Sequence, residues 1–398
     1  MRVLIALTYY RPHYSGLTIH AEREARSLVE NGHQVTVLTS RFDDQLPAHE
    51  IANGVEIIRP KVRMRVSKGV IMPSMPFWAW KLARRADVVH LHAPQFDAAY
   101  ISLISRLLGK PVVLTYHCDL RLPAGFIHAV ANRVSNLVNH ITARMSQVIV
   151  HNTRDYAEHS PFLQRYLDKL YPILPPVEVT SIDEKVIASF REKYAIKPDQ
   201  PIIGMAARLA TEKGVEYLAQ ALPLVLEKYP RARVLFVGPY QDVVGEEEYA
   251  RKLKPLIERL NQHWSFLGVI SPQEMAAFFH ESDVTVLPSI NSTESYGLVQ
   301  VEAMTCGTPV VASDIPGVRV PVIRTGMGAI VPPANAHKLA EALIAILDDP
   351  EQFQGAPEAI VRPSTPEMVA REYEAAFQLA IDKLHKIEDA QKSAKELG

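Results

Sequence analysis

The sequence predicts an α/β protein made of two parallel-sheet halves. Three observations predict it. Short apolar runs recur along the 398 residues, each followed by a loop and a stretch of helical periodicity. They fall into two series, separated by a segment that Pro172, Pro175 and Pro176 stiffen. A hydrophobic content of 47% over this length is enough for two cores.

The first series opens with Val3–Leu7, which runs into a loop bearing proline and glycine, Tyr10–Gly16. A helical pattern follows from Thr18 to about Asn31, Gly32 and His33 stop it, and Val35–Leu38 is the next strand. Val55–Ile58, Asp87–His92, Pro111–Tyr116 and Gln147–His151 continue the strands. Val177–Asp183 reads as the linker. The second series runs through Ile202–Met205, the helix Leu218–Tyr229, Val234–Val237, Trp264–Leu267 and Val284–Leu287. A helix over Pro272–His280 takes Ser271 as its cap and Pro272 in its first turn. Helix Val299–Thr305, strands Val310–Ala312 and Ala329–Val331, and a helical stretch from about Ala336 complete it. This divides the chain into domains 1–175 and 176–364. An amphipathic helix around Glu367–Leu384 fits against either half.

Net charge is −1, but it is unevenly placed. Residues 1–170 carry 21 Lys and Arg against 13 Asp and Glu, and residues 171–398 carry 22 against 31. The first half therefore suits an anionic partner. Two cysteines, Cys118 and Cys306, imply no disulfide framework, so the chain reads as cytoplasmic. No signal peptide and no spanning helix is expected.

Four constellations carry chemistry, each at the carboxyl end of a strand, where parallel sheets bind ligands. The loop Pro12–Gly16 leads into a helix whose first amides attract negative charge. His117, beside Cys118 and Asp119, is suited to hydrogen bonding a sugar hydroxyl. It lacks a second spaced Cys/His pair, so a metal role is discounted. His90 and His92 read as packed polar groups, with ligand contact by His92 the alternative. Arg208 and Lys213 follow the strand Ile202–Met205, and together they suit a diphosphate, Arg as a bidentate donor and Lys as a point charge. Glu294 and Glu302 straddle a turn at Tyr296 and Gly297. An ionised carboxylate accepts two hydroxyls at once, as a ribose diol offers. Paired glutamates also serve hydrolysis. Taken singly, each of these sets is also compatible with ordinary surface residues.

Together they resemble a known family. Arg208 with Lys213-Gly214, Glu294-Ser295-Tyr296-Gly297-Leu298 with Glu302-Ala303-Met304, and Cys306–Ala312 are similar to the motifs of the retaining glycosyltransferases of family 4. The resemblance covers nearly the whole chain. It implies the GT-B fold, two facing Rossmann-like domains with an interdomain cleft, and a last helix, about 365–385, that returns to the first domain. It implies a hexosyltransferase whose donor is a UDP-, GDP- or ADP-sugar. Arg208 and Lys213 then contact the donor diphosphate, and Glu302 holds the ribose. Glu294 lies near the transferred sugar, whose hydroxyls meet the backbone of Tyr296–Leu298. His117 meets that sugar from the first domain, and Gly16 belongs to the phosphate-facing loop. No metal or other cofactor is needed. Two departures stand out: Ser15 replaces the first glycine of that loop, and Tyr296 replaces the usual Phe.

The acceptor is legible only as a surface. Residues 59–68 are basic with apolar interleaving, including Lys61, Arg63 and Arg65, and they precede the Met-, Phe- and Trp-rich stretch Met72–Trp80. Leu122–Ile141 is amphipathic and nearly free of acid. Such surfaces suit an anionic bilayer face. The expected acceptor is a lipid, a lipid-linked saccharide or a polysaccharide precursor, with the protein peripheral on the inner face of the cell membrane. A small soluble acceptor is the alternative. So, from another class, is a non-catalytic protein that binds sugar nucleotides or anionic surfaces. A glycogen-type phosphorylase would need a pyridoxal-phosphate lysine site and a longer chain. No nucleic-acid-binding signature is present.

Overall fold

Apolar runs buried on both sides dictate parallel strands covered by helices on two faces. The computed structural model describes residues 1–66, 69–119, 126–243 and 245–396. The chain divides into two compact units, Met1–Pro176 with Ser364–Gly398, and Val177–Pro363.

The first unit carries an eight-stranded sheet. Its order is Leu170–Pro172, Val148–His151, Val112–Tyr116, Val88–Ala93, Arg2–Ala6, Gln34–Leu38, Val55–Ile58 and His49–Ala52. Only the pairing of His49–Ala52 with Val55–Ile58 is antiparallel. Strand alternation sorts the core onto two faces. Leu4, Ala6, Val89, Leu91 and Leu114 pack with the helices Met75–Ala83, Ala98–Leu107 and Phe126–Met145. Val3, Ile5, Val88 and Val113 pack with the helices Gly16–Glu30 and Pro366–Glu396. The long final helix is thus part of this unit, with Tyr373, Ala376, Phe377 and Ala380 fully buried.

A short antiparallel hairpin, Met64–Val66 with Gly69–Ile71, was not foreseen and holds Arg65. Ser67 and Lys68 of the basic segment, and residues 122–125 of the amphipathic segment Leu122–Ile141, lie outside the described residues.

The second unit has six parallel strands in the order Trp264–Gly268, Arg233–Val237, Ile202–Ala206, Val284–Leu287, Val310–Ser313, Gly328–Val331. Numbered within the unit, this is 3-2-1-4-5-6, the doubly wound order. The order reverses between Ile202–Ala206 and Val284–Leu287, and ligands of such sheets bind beyond that crevice. The helix Pro272–Glu281 has a full capping box, Ser271 with Glu274. Among the described residues no helix is long and apolar enough to cross a membrane.

Candidate active site

The loops after the two strands at the reversal carry the charges. Arg208 leaves the first strand, and the turn Thr211–Lys213 follows. Glu294 lies in the loop after the second. The Nη2 of Arg208 donates to Oε1 of Glu212, and Nζ of Lys213 donates to Oε2 of Glu294. The lysine and Glu294 side chains keep 20% and 14% of their surface exposed, so this pair is sheltered yet reachable. The loops are also joined through backbone, Ile290 N donating to Glu212 O at 3.0 Å. This approach requires Gly214. Its φ is +64°, and a Cβ there would stand 2.1 Å from the Pro288 carbonyl oxygen.

Gly297 makes the second turn. Its φ is +81°, and a Cβ would meet Leu287 Cδ2 at 2.3 Å. The helix Leu298–Thr305 therefore starts on a left-handed glycine with no side-chain cap. Its first amides are suited to an anion or a hydroxyl oxygen. Gln300 Nε2 locks the turn from beneath, donating to Tyr296 O at 2.7 Å and Val318 O at 2.9 Å. Tyr296 is buried, whereas Ser295 and Leu298 are half-buried. Glu302 sits half-buried in the helix and near Cys306, whose thiol burial and that carboxylate push up to about 11.

In the first unit, His117 ends the strand Val112–Tyr116. Its Nε2 lies 2.9 Å from His92 Nδ1, and the two rings stack. Burial, with repulsion from His151 and His90, pushes the His117 imidazolium down to about 3, so the ring is neutral. Beneath it lies a polar core. Glu24 is fully buried, with His90 Nδ1 at 2.8 Å, His92 Nε2 at 3.5 Å and His20 Nε2 at 3.7 Å. Burial raises the Glu24 pKa, against the pull of His90, and drives His20 and His92 well below the usual imidazole range. His90 Nε2 is 2.7 Å from Thr115 Oγ1, which is 3.1 Å from the Tyr373 hydroxyl, and that hydroxyl is 2.9 Å from His20 Nε2.

Among the described residues one group, Glu24, His90 and His92, brings three ligand atoms within 4.8 Å of one another, as a metal ion would need.

The structure brings together Arg208, Lys213, Glu294 and the Tyr296–Leu298 turn in one unit, and His117 with His90 and His92 in the other. Asp119 turns away from His117. It accepts from the Tyr116 hydroxyl at 3.0 Å and from Ser160 Oγ at 2.9 Å. Gly16 is the first residue of its helix and has no left-handed backbone. Ser15 is its N-cap, its Oγ accepting from Thr18 N at 3.2 Å. Lys61, Arg63 and Arg65 are exposed, and Arg65 donates to the Phe42 carbonyl. Sequence reasoning missed Glu24, Glu212 and Tyr373. A charged residue at an interior position of the first helix was the available signal for Glu24. Nothing local marked Tyr373.

Fold and charged strand ends define a two-unit, doubly wound α/β protein. The model for glycosyl transferases group 1 matches residues 186–360, and that for glycosyltransferase family 4 matches residues 14–181. The chain belongs to the family 4 glycosyltransferases, and it is a glycosyltransferase. It is 27% identical over 373 residues to an uncharacterized glycosyltransferase of Methanocaldococcus jannaschii, covering 88% of this chain and 90% of that one. It is 26% identical over 378 residues to the phosphatidyl-myo-inositol mannosyltransferase of Mycolicibacterium smegmatis, covering 89% and 87%. The fold is GT-B. The HepE protein of Anabaena, solved in complex with UDP, matches 99% of this chain and all of its own with a TM-score of 0.67 at 20% identity.

Proposed function

We propose that this enzyme moves a hexosyl group from a UDP-, GDP- or ADP-sugar to a lipid, a lipid-linked saccharide or a polysaccharide precursor at an anionic membrane face, retaining the anomeric configuration. The carbon–oxygen bond to the diphosphate breaks and the acceptor oxygen bonds the same carbon on the same face. The acceptor's proton passes to the departing phosphate oxygen. Negative charge grows on the leaving group. Arg208 and Lys213 neutralise it in place of a metal ion, assisted by the uncapped helix start at Gly297. Glu302 accepts the ribose hydroxyls, while Glu294 and the Tyr296–Leu298 backbone hold the sugar. His117, in the first unit, offers its ring to a sugar hydroxyl.

The observation that carries the acceptor reading is a helical layer without acid. Met75–Ala83, Ala98–Leu107 and Phe126–Met145 contain no Asp or Glu. They nevertheless expose Phe77, Trp80, Leu103, Leu107, Val134 and Leu137. Lys81, Arg84, Arg133 and Arg144 are exposed among them. None of these four makes an ion pair among the described residues. Apolar side chains with unpaired cations fit the headgroup region of an anionic bilayer. The mannosyltransferase relative is named for a phosphatidylinositol acceptor, which supports the same reading.

The test is flotation with vesicles of phosphatidylcholine, with and without phosphatidylglycerol, alongside a screen of sugar nucleotides for turnover. Binding only to the anionic vesicles, lost in R84E/R133E, is expected. Equal partitioning onto both vesicles or neither, with turnover on a soluble sugar, overturns the membrane acceptor and leaves the transferase.

A further inference from the structure

We infer that Glu24 fixes the tautomer of His117 through His92, so that His117 presents Nδ1 as a hydrogen-bond acceptor to the sugar. The inference rests on the reading of His117 as a sugar contact, and it adds which atom does the work and what sets it.

With Glu24 ionised, its oxygens only accept, and each imidazole nitrogen facing them carries a proton. For His92 that nitrogen is Nε2, 3.5 Å from Oε2. A neutral imidazole has one proton. The Nδ1 of His92 is then a lone pair and takes a hydrogen bond from His117 Nε2 at 2.9 Å. His117 is neutral as well, and its proton is committed at Nε2. Its Nδ1 is left as a lone pair, on a residue that is half-buried just past the strand end.

A second chain agrees in direction. His20 Nε2 donates to the Tyr373 hydroxyl, that hydroxyl to Thr115 Oγ1, Thr115 to His90 Nε2, and His90 Nδ1 faces Glu24 Oε1 at 2.8 Å. Two rows of donors thus run toward the two oxygens of one buried acid, and no ring needs a second proton. Glu24 is a positioning residue. A sugar hydroxyl that donates to His117 Nδ1 is recognised, while a carbonyl oxygen at the same place is repelled.

The ring-to-carboxylate approaches are off-axis, and neither is an in-line hydrogen bond. A divalent metal ion between Glu24, His90 and His92 would use those same atoms, but it demands the opposite tautomers. With lone pairs on His92 Nε2 and His90 Nδ1, His92 would donate from Nδ1 to His117 Nε2, and His117 would carry its proton at Nδ1.

Ring-nitrogen NMR of the full-length protein, with ¹⁵N-labelled histidine and His117 assigned by its absence in H117Q, distinguishes the two. We expect Nε2 protonated and Nδ1 bare, with no stoichiometric metal by elemental analysis. E24Q, whose amide both donates and accepts, is expected to change the His117 pattern and to raise KM for the sugar donor about tenfold while kcat holds. T115V breaks only the second chain and should leave the His117 pattern as it is. A proton on Nδ1, a stoichiometric metal ion lost in H90A, or an unchanged His117 pattern in folded E24Q overturns the inference. The wild-type spectrum reads the tautomer without E24Q and needs only folded H117Q for its assignment. It reads the tautomer even if the protein transfers no sugar, so failure of the functional reading remains distinct.

Discussion

The two units handle charge in opposite ways. The second unit holds Arg208 and Lys213 against Glu212 and Glu294 in partly exposed loops, where carboxylates keep the cations oriented. The first unit buries one acid, Glu24, among the imidazoles of His20, His90 and His92 and shuts solvent out. A pole of exchangeable ion pairs is suited to a ligand that brings and develops charge. A buried hydrogen-bonded network is suited to setting the geometry of uncharged hydroxyls. The catalytic load of charge stabilisation should therefore fall on the second unit, and orientation on the first.

The largest test of that division is removal of the cations. K213A or R208A should lower kcat by roughly 10²–10³-fold, the usual cost of losing one preorganised donor to a developing anion. Steady-state rates with the best sugar nucleotide, set beside H117A, make the comparison. A cation variant that loses less than H117A would break it.

How far each pole could be read in the sequence follows from how it is built. The second unit's site is local. Arg208, Lys213 and Gly214 share one loop, and Glu294 to Glu302 share one loop and helix, so spacing alone groups them. The alternation of apolar runs likewise exposed the two series of strands, because parallel strands buried on both faces leave unbroken hydrophobic runs. The first unit's polar core is assembled from far-apart positions. Glu24 comes from the first helix, His90 and His92 from one strand, Thr115 and His117 from another, and Tyr373 from the final helix. Only the sheet order puts Val88–Ala93 beside Val112–Tyr116 and thereby His92 beside His117. No spacing in the sequence encodes that register. The hairpin Met64–Val66 with Gly69–Ile71 escaped because its three-residue strands are too short for a period to show.

A smaller effect separates the units in acid. His117 and His151 fall to about 3 and about 4 from an ordinary 6.5, both chiefly through burial. Unfolded, these rings bind protons near 6.5. Folded, they do not until far lower pH. Between those limits the unfolded state holds more protons, so stability falls as pH falls from about 6.5 toward 3. The raised Glu24 pKa works the other way, its share of stability being lost as pH rises through its folded value. The histidines outnumber it, and the first unit should weaken first on acidification. Hydrogen exchange at pH 7 and pH 5 measures this, with peptides from Val88–Ala93 and Val112–Tyr116 losing protection before those from Ile202–Ala206. Loss of protection in the second unit first would contradict the burial argument.

The smallest expected effect concerns how the helices begin. Ser15 satisfies the first turn of Gly16–Glu30 with its own side chain, whereas the helix after Gly297 has no side-chain cap. A capped start has spent a donor that an uncapped one still offers. S15A should therefore cost about 1 kcal/mol in urea unfolding, the ordinary loss of an N-cap, and S15G only a few tenths. G297A should act differently, since its Cβ would press on Leu287 Cδ2 at 2.3 Å in a left-handed backbone. There the damage should appear in transfer as well as in stability, because the displaced turn carries the amides proposed to hold the sugar. If S15A cost catalysis more than stability, the start of the first helix would be a ligand contact too, and the contrast between a structural cap and a vacant one would fail.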